Sequence, residues 1–365
     1  HLPAARPRQF GYNSAMQASS PHLRLLRAVR LAATLALVAC AEPSPDAALA
    51  DYVQRLERTL GHAAPAATPA TLPRLPHRSE IKLTLESGNL GTLDFLALTG
   101  CAVQVTIGKR NSSLGLMASA SQRLLLELEF LQLAPDCIDY QRSQGEDALA
   151  DLLASAHAQK QRQLPALIFN ATLGGPEYRA LWRPPANLGP YPANTSSAPL
   201  TALANINASV RRWLAGDYRA DNMAFEIQLS EVALGDGGAL LRALALQQGW
   251  LAAGNAVLAA QRADGPLCRG DLRPAAADTL NTVIEKFFIG EVQPWSADLG
   301  RRQHDLLPLL QELEQQVASA LPPAYQSWRD RRDASLSRWA EAPRQHVKAL
   351  QATLEPCGGA GGRAS

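Results

Sequence analysis

The sequence predicts a mainly α, multi-helix, bundle-like protein with at most a minor short β element. Three observations lead there. Apolar residues recur at helical spacing through most of the chain. The strict alternation that marks strands is confined to two short runs. Aromatic residues make up only 5% of the chain, so leucine, alanine and valine must fill the core. A chain that is 47% hydrophobic and 19% charged, with a net charge of +2, has the composition of a globular body. So small a charge, with no basic run, argues against nucleic acid as a partner. The length suffices for a large core, expected as two packed helical lobes.

Residues 1–22 fit neither a leader nor a fold; the first methionine is Met16, and the stretch reads as an extraneous extension. Residues 23–39 read as a signal peptide. Arg24, Arg27 and Arg30 form a basic region ahead of the apolar run from Leu31 to Ala39. That run falls well short of the roughly 20 residues a membrane-spanning helix needs, and a short apolar run behind positive charge is a cleaved-signal pattern. Leu37-Val38-Ala39-Cys40 then has the form of a bacterial lipobox, in which the cysteine after the cut carries acyl chains such as palmitate. Acylation of Cys40 would hold the protein on a membrane, each buried CH₂ adding about 0.8 kcal/mol. An aspartate after that cysteine favours inner-membrane retention; Ala41 stands there instead, so the expected address is the periplasmic face of the outer membrane.

Without Cys40, four cysteines remain: Cys101, Cys137, Cys268 and Cys357. An even number in an exported chain suggests disulfides. Of the possible pairings, chain order favours Cys101–Cys137 with Cys268–Cys357, each stabilising the fold by about 3–5 kcal/mol in the chain-entropy model. No two cysteines lie close together and no histidine sits at ligand spacing from one, so a metal site is not expected.

The elements follow in order. Ser44-Pro45-Asp46 opens a helix with a capping hydroxyl, a proline at the first helical position and an acid at the positive end of the dipole. Leu49, Tyr52, Val53, Leu56 and Leu60 mark one face, which favours packing over a free stalk, and Gly61 stops the helix. Prolines 65, 69, 73 and 76 make 63–78 an extended connector, so that 40–78 comprises anchor, first helix and connector. Ile81, Leu83 and Leu85 alternate as a short strand would. Helical patterns cover about 91–99, 101–114, 119–134 and 146–162 within a first lobe, 79–183. If 101–114 and 119–134 form a hairpin about Gly115, Cys101 and Cys137 meet at one end. As one unbroken helix they would lie about 50 Å apart, whereas a disulfide needs their Cα atoms within roughly 7 Å. The proline-rich stretch 184–199 is the clearest boundary. The second lobe, 200–357, carries helical patterns near 200–215, 238–262, 274–290, 301–320 and 326–354, and Pro343 should kink or break the last. Phe225, Ile227 and Leu229 alternate, fitting a strand or a helical turn equally well. Residues 358–365 read as a flexible tail.

A series of landmarks resembles an uncharacterised family of proteobacterial lipoproteins, the domain-of-unknown-function family DUF3080. They begin with Thr92-Leu93-Asp94-Phe95-Leu96-Ala97-Leu98 before Cys101, then Arg110-Asn111-Ser112-Ser113-Leu114-Gly115 and Glu129-Phe130-Leu131 before Cys137. Leu164-Pro165, Phe169-Asn170-Ala171-Thr172, Leu267-Cys268, Val292-Gln293-Pro294-Trp295 and His346 ahead of Cys357-Gly358 complete the series. The resemblance spans roughly residues 45 to 358. It implies no activity.

Arg110, Asn111, Ser112 and Ser113 form the most polar compact group in an apolar region, able in principle to bind an anion. Asn and Ser near a helix end more commonly cap backbone groups, with Arg110 paired to a buried acid. No Gly-x-Ser-x-Gly elbow surrounds the serines, so a serine nucleophile has no support. The seven histidines are scattered, with no His-Glu-x-x-His, so no metal is expected. His346 reads as a satisfied structural residue. Gly235-Asp236-Gly237-Gly238 reads as a tight turn with a capping role rather than a phosphate loop, lacking the lysine that such loops carry. Glu127 and Glu129 are two apart and would not share a helix face. Arg329-Asp330-Arg331-Arg332-Asp333 mixes signs and reads as a solvated face.

The expectation is therefore a lipid-anchored periplasmic helical protein that binds, scaffolds or maintains the envelope, with membrane attachment through Cys40, an envelope protein partner of unknown identity, and no cofactor. The alternative is a periplasmic enzyme whose polar site gathers Arg110, Asn111 and Asn170, recognisable by a cleft where these residues meet a carboxylate or histidine.

Overall fold

The computed structural model describes residues 45–85, 98–270 and 272–358, and these are helical almost throughout. The helices are α1 (Pro45–Leu60), α2 (Arg78–Ile81), α3 (Val103–Asn111), α4 (Ser113–Leu116), α5 (Ala120–Ser143), α6 (Asp147–Ala171) and α7 (Pro176–Leu181). They continue as α8 (Ala198–Leu214), α9 (Asn222–Ala233), α10 (Gly237–Asp264), α11 (Ala275–Val283), α12 (Gln293–Gln316), α13 (Pro323–Ala340) and α14 (Ala342–Leu354). A π-helical segment, Ile284–Val292, joins α11 to α12. No strand occurs among the described residues, where the single β contact is an isolated bridge between Arg269 and Leu272.

The strand expected at 81–85 is corrected, and at 225–229 the helical alternative holds. Ile81 closes α2, and residues 82–85 are extended but pair with no other strand. Phe225 and Leu229 lie on the buried face of α9 with Val232, at helical spacing, while Ile227 points outward. Two apolar residues four apart serve a helix as well as a strand, and the Asp221 side chain, capping the Ala224 amide at 2.9 Å, decides for the helix. The expected helix at 91–99 falls largely outside the described residues.

α1 carries its predicted stripe inward: Leu49, Tyr52, Val53, Leu56 and Leu60 are all buried. The connector after it lies on the body. Trp328 Nε1 donates to the Pro73 carbonyl at 3.2 Å. α5 starts with a reciprocal cap between Ser119 and Gln122. It then runs through Pro135, as α6 runs through Pro165, and both helices are longer than their apolar patterns indicated. At Pro343 the chain does break, α13 ending at Ala340 and α14 starting at Ala342.

Three clusters of buried side chains hold the fold. The first gathers residues of α5 to α10, α12 and α13, including Trp182, Trp213, Trp328 and Trp339. The second joins α1, the C-terminal half of α10, α11, the π-helical segment and α14. The third packs α3 against α5 and α6 around Cys101 and Cys137. The first cluster draws on both sides of 184–199, so that stretch does not divide the core into two lobes. All the described residues belong to one compact unit. α10 is the axis: with glycine and alanine on several faces, it is buried along most of its length.

Cys101 is bonded to Cys137 with Cα atoms 5.4 Å apart, and Cys268 to Cys357 with Cα atoms 5.0 Å apart. The first clamps the start of α3 to α5; the second ties the loop after α10 to the end of the described chain. No helix among the described residues is long and apolar enough to cross a membrane.

Candidate functional site

The predicted polar group at 110–113 is divided by the fold. Ser112 ends α3 and opens α4: its hydroxyl donates to the Lys109 carbonyl at 2.7 Å and accepts the Gly115 amide at 3.1 Å. Arg110 turns to buried Glu127, with Nη1 3.5 Å from Oε1. The same Glu127 oxygen receives the Lys160 ammonium at 3.0 Å, and both of these side chains are almost wholly buried. Glu129 faces outward to Lys109. Asn111 and Ser113 are exposed.

Asn170 stands elsewhere. Its Oδ1 accepts the Leu83 amide at 3.0 Å and its Nδ2 donates to the Leu83 carbonyl at 2.9 Å. A side-chain amide thus takes the part of a neighbouring strand, giving the extended segment both bonds it would otherwise lack. The arrangement does not bring Arg110, Asn111 and Asn170 into one site.

What Asn170 does line is a cleft of about 250 Å³. One wall is Arg78, Lys82 and residues 83–85; opposite are Ser119 and Arg123 at the start of α5, and Leu167 and Asn170 of α6. Leu83, Leu85 and Leu167 are its large apolar lining residues. Its charged lining residues are all cations: Arg78, Lys82 and Arg123. None of Arg78, Lys82 and Arg123 forms an ion pair with a carboxylate among the described residues, and no acid is among the lining residues. Arg179 adds to the field nearby. It donates to the Pro76 carbonyl at 2.7 Å, and its pKa is lowered, first by partial burial and then by the charge of Arg78. Such a site can take a carboxylate or phosphate with a short apolar portion beneath it. Sequence reasoning found Asn170 but missed the three cations, which come from separate segments with no shared spacing.

Two other buried polar groups organise the core. Arg332 is completely buried and grips Glu314 with two bonds, Nη1 to Oε1 at 2.7 Å and Nη2 to Oε2 at 3.0 Å. Tyr325 also donates to Glu314, at 2.7 Å, and the Tyr178 and Tyr325 hydroxyls lie 2.8 Å apart. The guanidinium sits 5.0 Å and 5.2 Å from the ring centres of Trp328 and Trp182. Burial, and then the Glu314 charge, push the Tyr178 hydroxyl pKa up. The solvated-face reading of 329–333 is therefore corrected at Arg332. Tyr325, Trp328, Arg332, Leu336 and Trp339 are the buried positions of α13, and that helical stripe could have located Arg332 despite its charge.

Asp236 is corrected as well. It stands at the cap position of α10 but makes no capping bond. Its carboxylate is clamped instead by Arg302, at 2.9 Å from Nε and 2.6 Å from Nη2, and by the Tyr191 hydroxyl at 2.8 Å. Gly238 is required by proximity: a Cβ there would collide with the main chain of Arg183 and Pro184. His346 is satisfied, with Nε2 2.6 Å from the Tyr52 hydroxyl and Nδ1 2.7 Å from Asn255 Oδ1. Burial lowers its pKa to about 3. Among the described residues no three His, Cys, Asp or Glu side chains are grouped to hold a metal ion.

No curated protein and no solved structure matches the chain. A family model described as a protein of unknown function, DUF3080, matches residues 49–360, which takes in every helix from most of α1 to the end of α14. The chain belongs to the DUF3080 family.

Proposed function

We propose that this is an exported, lipid-anchored envelope protein that works by binding, and that its cationic cleft holds an anionic group of the bound molecule. The observation that carries the binding role is the convergence of Arg78, Lys82 and Arg123 with Leu83, Leu85 and Leu167 on one cleft, with no carboxylate lining it among the described residues. Cations gathered on one cleft repel one another, an arrangement that an incoming anion relieves. Asn170 supports the site by fixing the segment that carries Lys82 and Leu83.

The address rests on the sequence: the basic leader, the lipobox ending at Cys40, and Ala41 after it, which favours the outer membrane. The two disulfides suit an oxidising compartment. Scaffolding or maintenance of the envelope would follow from holding a ligand or partner at a fixed distance from the membrane.

Two measurements test this. Labelled palmitate should enter the wild-type chain and not Cys40→Ala; equal labelling, or none, removes the anchor. Calorimetric titration of the full chain with dodecyl phosphate should give binding that weakens about tenfold or more in Lys82→Ala/Arg123→Ala, as expected when two charge-assisted bonds are lost. Equal affinity in both proteins, or none in the wild type, rejects the cleft as the binding place.

A further inference from the structure

Beside the cleft lies a surface of a different kind. Ala118 lines both the cleft and an adjoining apolar groove of about 620 Å³, walled by Leu114 of α4 and Met223 of α9, with Leu125 and Leu126 at its base. Its lining residues include one carboxylate, Glu226, and one lysine, Lys109. Leu114, Leu116 and Met117 are 84%, 70% and 86% exposed, and Met223 and Ile227 on the facing helix are 74% and 55% exposed. Scattered exposed leucines are ordinary on any protein. Three within four residues, with two more on α9, whose Met223 lines the groove with Leu114, concentrate exposed apolar surface on this side of the body.

The face is held out by its own backbone. Ser112 caps both α3 and α4, and the chain folds so tightly that a Cβ at Gly115 would run into the carbonyl oxygens of Lys109 and Arg110. α5 then begins with the reciprocal Ser119–Gln122 cap. Both ends of the turn are thus fixed, and its three large side chains stand exposed.

From this juxtaposition we infer that the α4 turn and the exposed stripe of α9 dock onto an anionic lipid surface, the apolar side chains entering the interface and the cations beside them meeting headgroup phosphates. The charge pattern selects the occupant. Arg78, Lys82 and Arg123 lie next to the apolar face without an ion pair among the described residues, and apolar side chains flanked by cations suit the boundary between acyl chains and phosphates. A partner surface without anions would use the apolar face but leave those cations unmatched. The inference stands apart from acylation of Cys40, but it rests on the cleft reading in that it names a lipid headgroup as the anion its cations meet. It assigns the body a fixed orientation, with the α4 turn facing the membrane.

The test uses the full chain as Cys40→Ala, with an environment-sensitive nitrobenzoxadiazole label at Met117→Cys and, in a separate protein, at Lys348→Cys on exposed α14. Vesicles of phosphatidylglycerol should shift the Met117→Cys label to the blue and raise its emission, while the Lys348→Cys label stays unchanged. Phosphatidylcholine vesicles should give little response, and inorganic phosphate none. Leu114→Ser/Leu116→Ser with a label at Met223→Cys should bind phosphatidylglycerol vesicles about tenfold or more weakly, as removal of two inserting side chains requires. Circular dichroism would show whether that variant keeps its helices. A Met117→Cys label that ignores phosphatidylglycerol overturns the inference. So does one that shifts with protein concentration alone, since a second copy would then cover the face. Equal shifts at both labelled positions would mean that the apolar leader, not this face, brings the chain to the vesicle.

Discussion

His157 of α6 donates from Nε2 to the main-chain carbonyl of Leu131 in α5 at 3.1 Å. Leu131 is four residues before Pro135, so this is the carbonyl that proline leaves without its helical donor. A side chain from the neighbouring helix supplies the missing proton, and α5 continues for two more turns to carry Cys137 and Ile138 into the third core and to bury Gln141. The bond also fixes which ring nitrogen carries hydrogen, because a carbonyl can only accept.

Replacing His157 with alanine should therefore lower stability by about 1–3 kcal/mol, the cost of leaving a shielded acceptor unpaired. Pro135→Ala restores a main-chain donor to Leu131, so the double variant should recover part of that loss. Urea unfolding of the four proteins in the cycle measures the coupling; strictly additive effects would dissolve the link between the two residues.

Arg332 and Glu314 should behave as a unit. Arg332→Met alone leaves a carboxylate buried among Tyr178 and Tyr325, and Glu314→Leu alone leaves a guanidinium buried between tryptophans. Each should cost about 3–5 kcal/mol. Arg332→Met together with Glu314→Leu leaves only the partly exposed Asp333 without its partner and should cost clearly less than the sum. Thermal denaturation of the three variants decides the matter.

The histidine at 346 makes stability depend on pH in one direction. Its pKa is lowered from 6.5 to about 3 in the folded protein, so the unfolded chain takes up the proton first. Stability from this group is complete above about pH 6.5 and falls as the pH drops towards 3. The slope is at most about 1.4 kcal/mol per pH unit. His346→Gln removes the titration, and its unfolding free energy should vary less with pH over that window. Identical pH profiles for wild type and variant would show that the buried ring does not control the acid limb.

Much of the architecture was legible because it rests on local rules. The α1 stripe, the break at Pro343, the capping by Ser112 and the cysteine pairs each depend on a few neighbouring residues or on chain order. The parts that were not legible depend on distant partners. The helical patterns at 119–134 and 146–162 stop short of Pro135 and Pro165, and only a side chain from another helix shows why α5 persists. Leu83 looked like a strand residue because it is extended, yet its partner is the Asn170 amide, 87 residues away. Arg332 was hidden by its charge although it sits on the apolar stripe of α13. The cleft cations were invisible for a plainer reason: Arg78, Lys82 and Arg123 have no common motif, and only the fold makes them neighbours.

The bond from Tyr52 to His346 joins the first described helix to the last, 294 positions apart. A ribosome must therefore finish almost the whole polypeptide before α1 can bury its stripe in full. Until then that greasy surface stays uncovered, an opening for holdase chaperones. A stop codon anywhere ahead of residue 342 would make the vacancy permanent, so even a modest C-terminal deletion should send the product to proteolysis rather than yield a shorter working version.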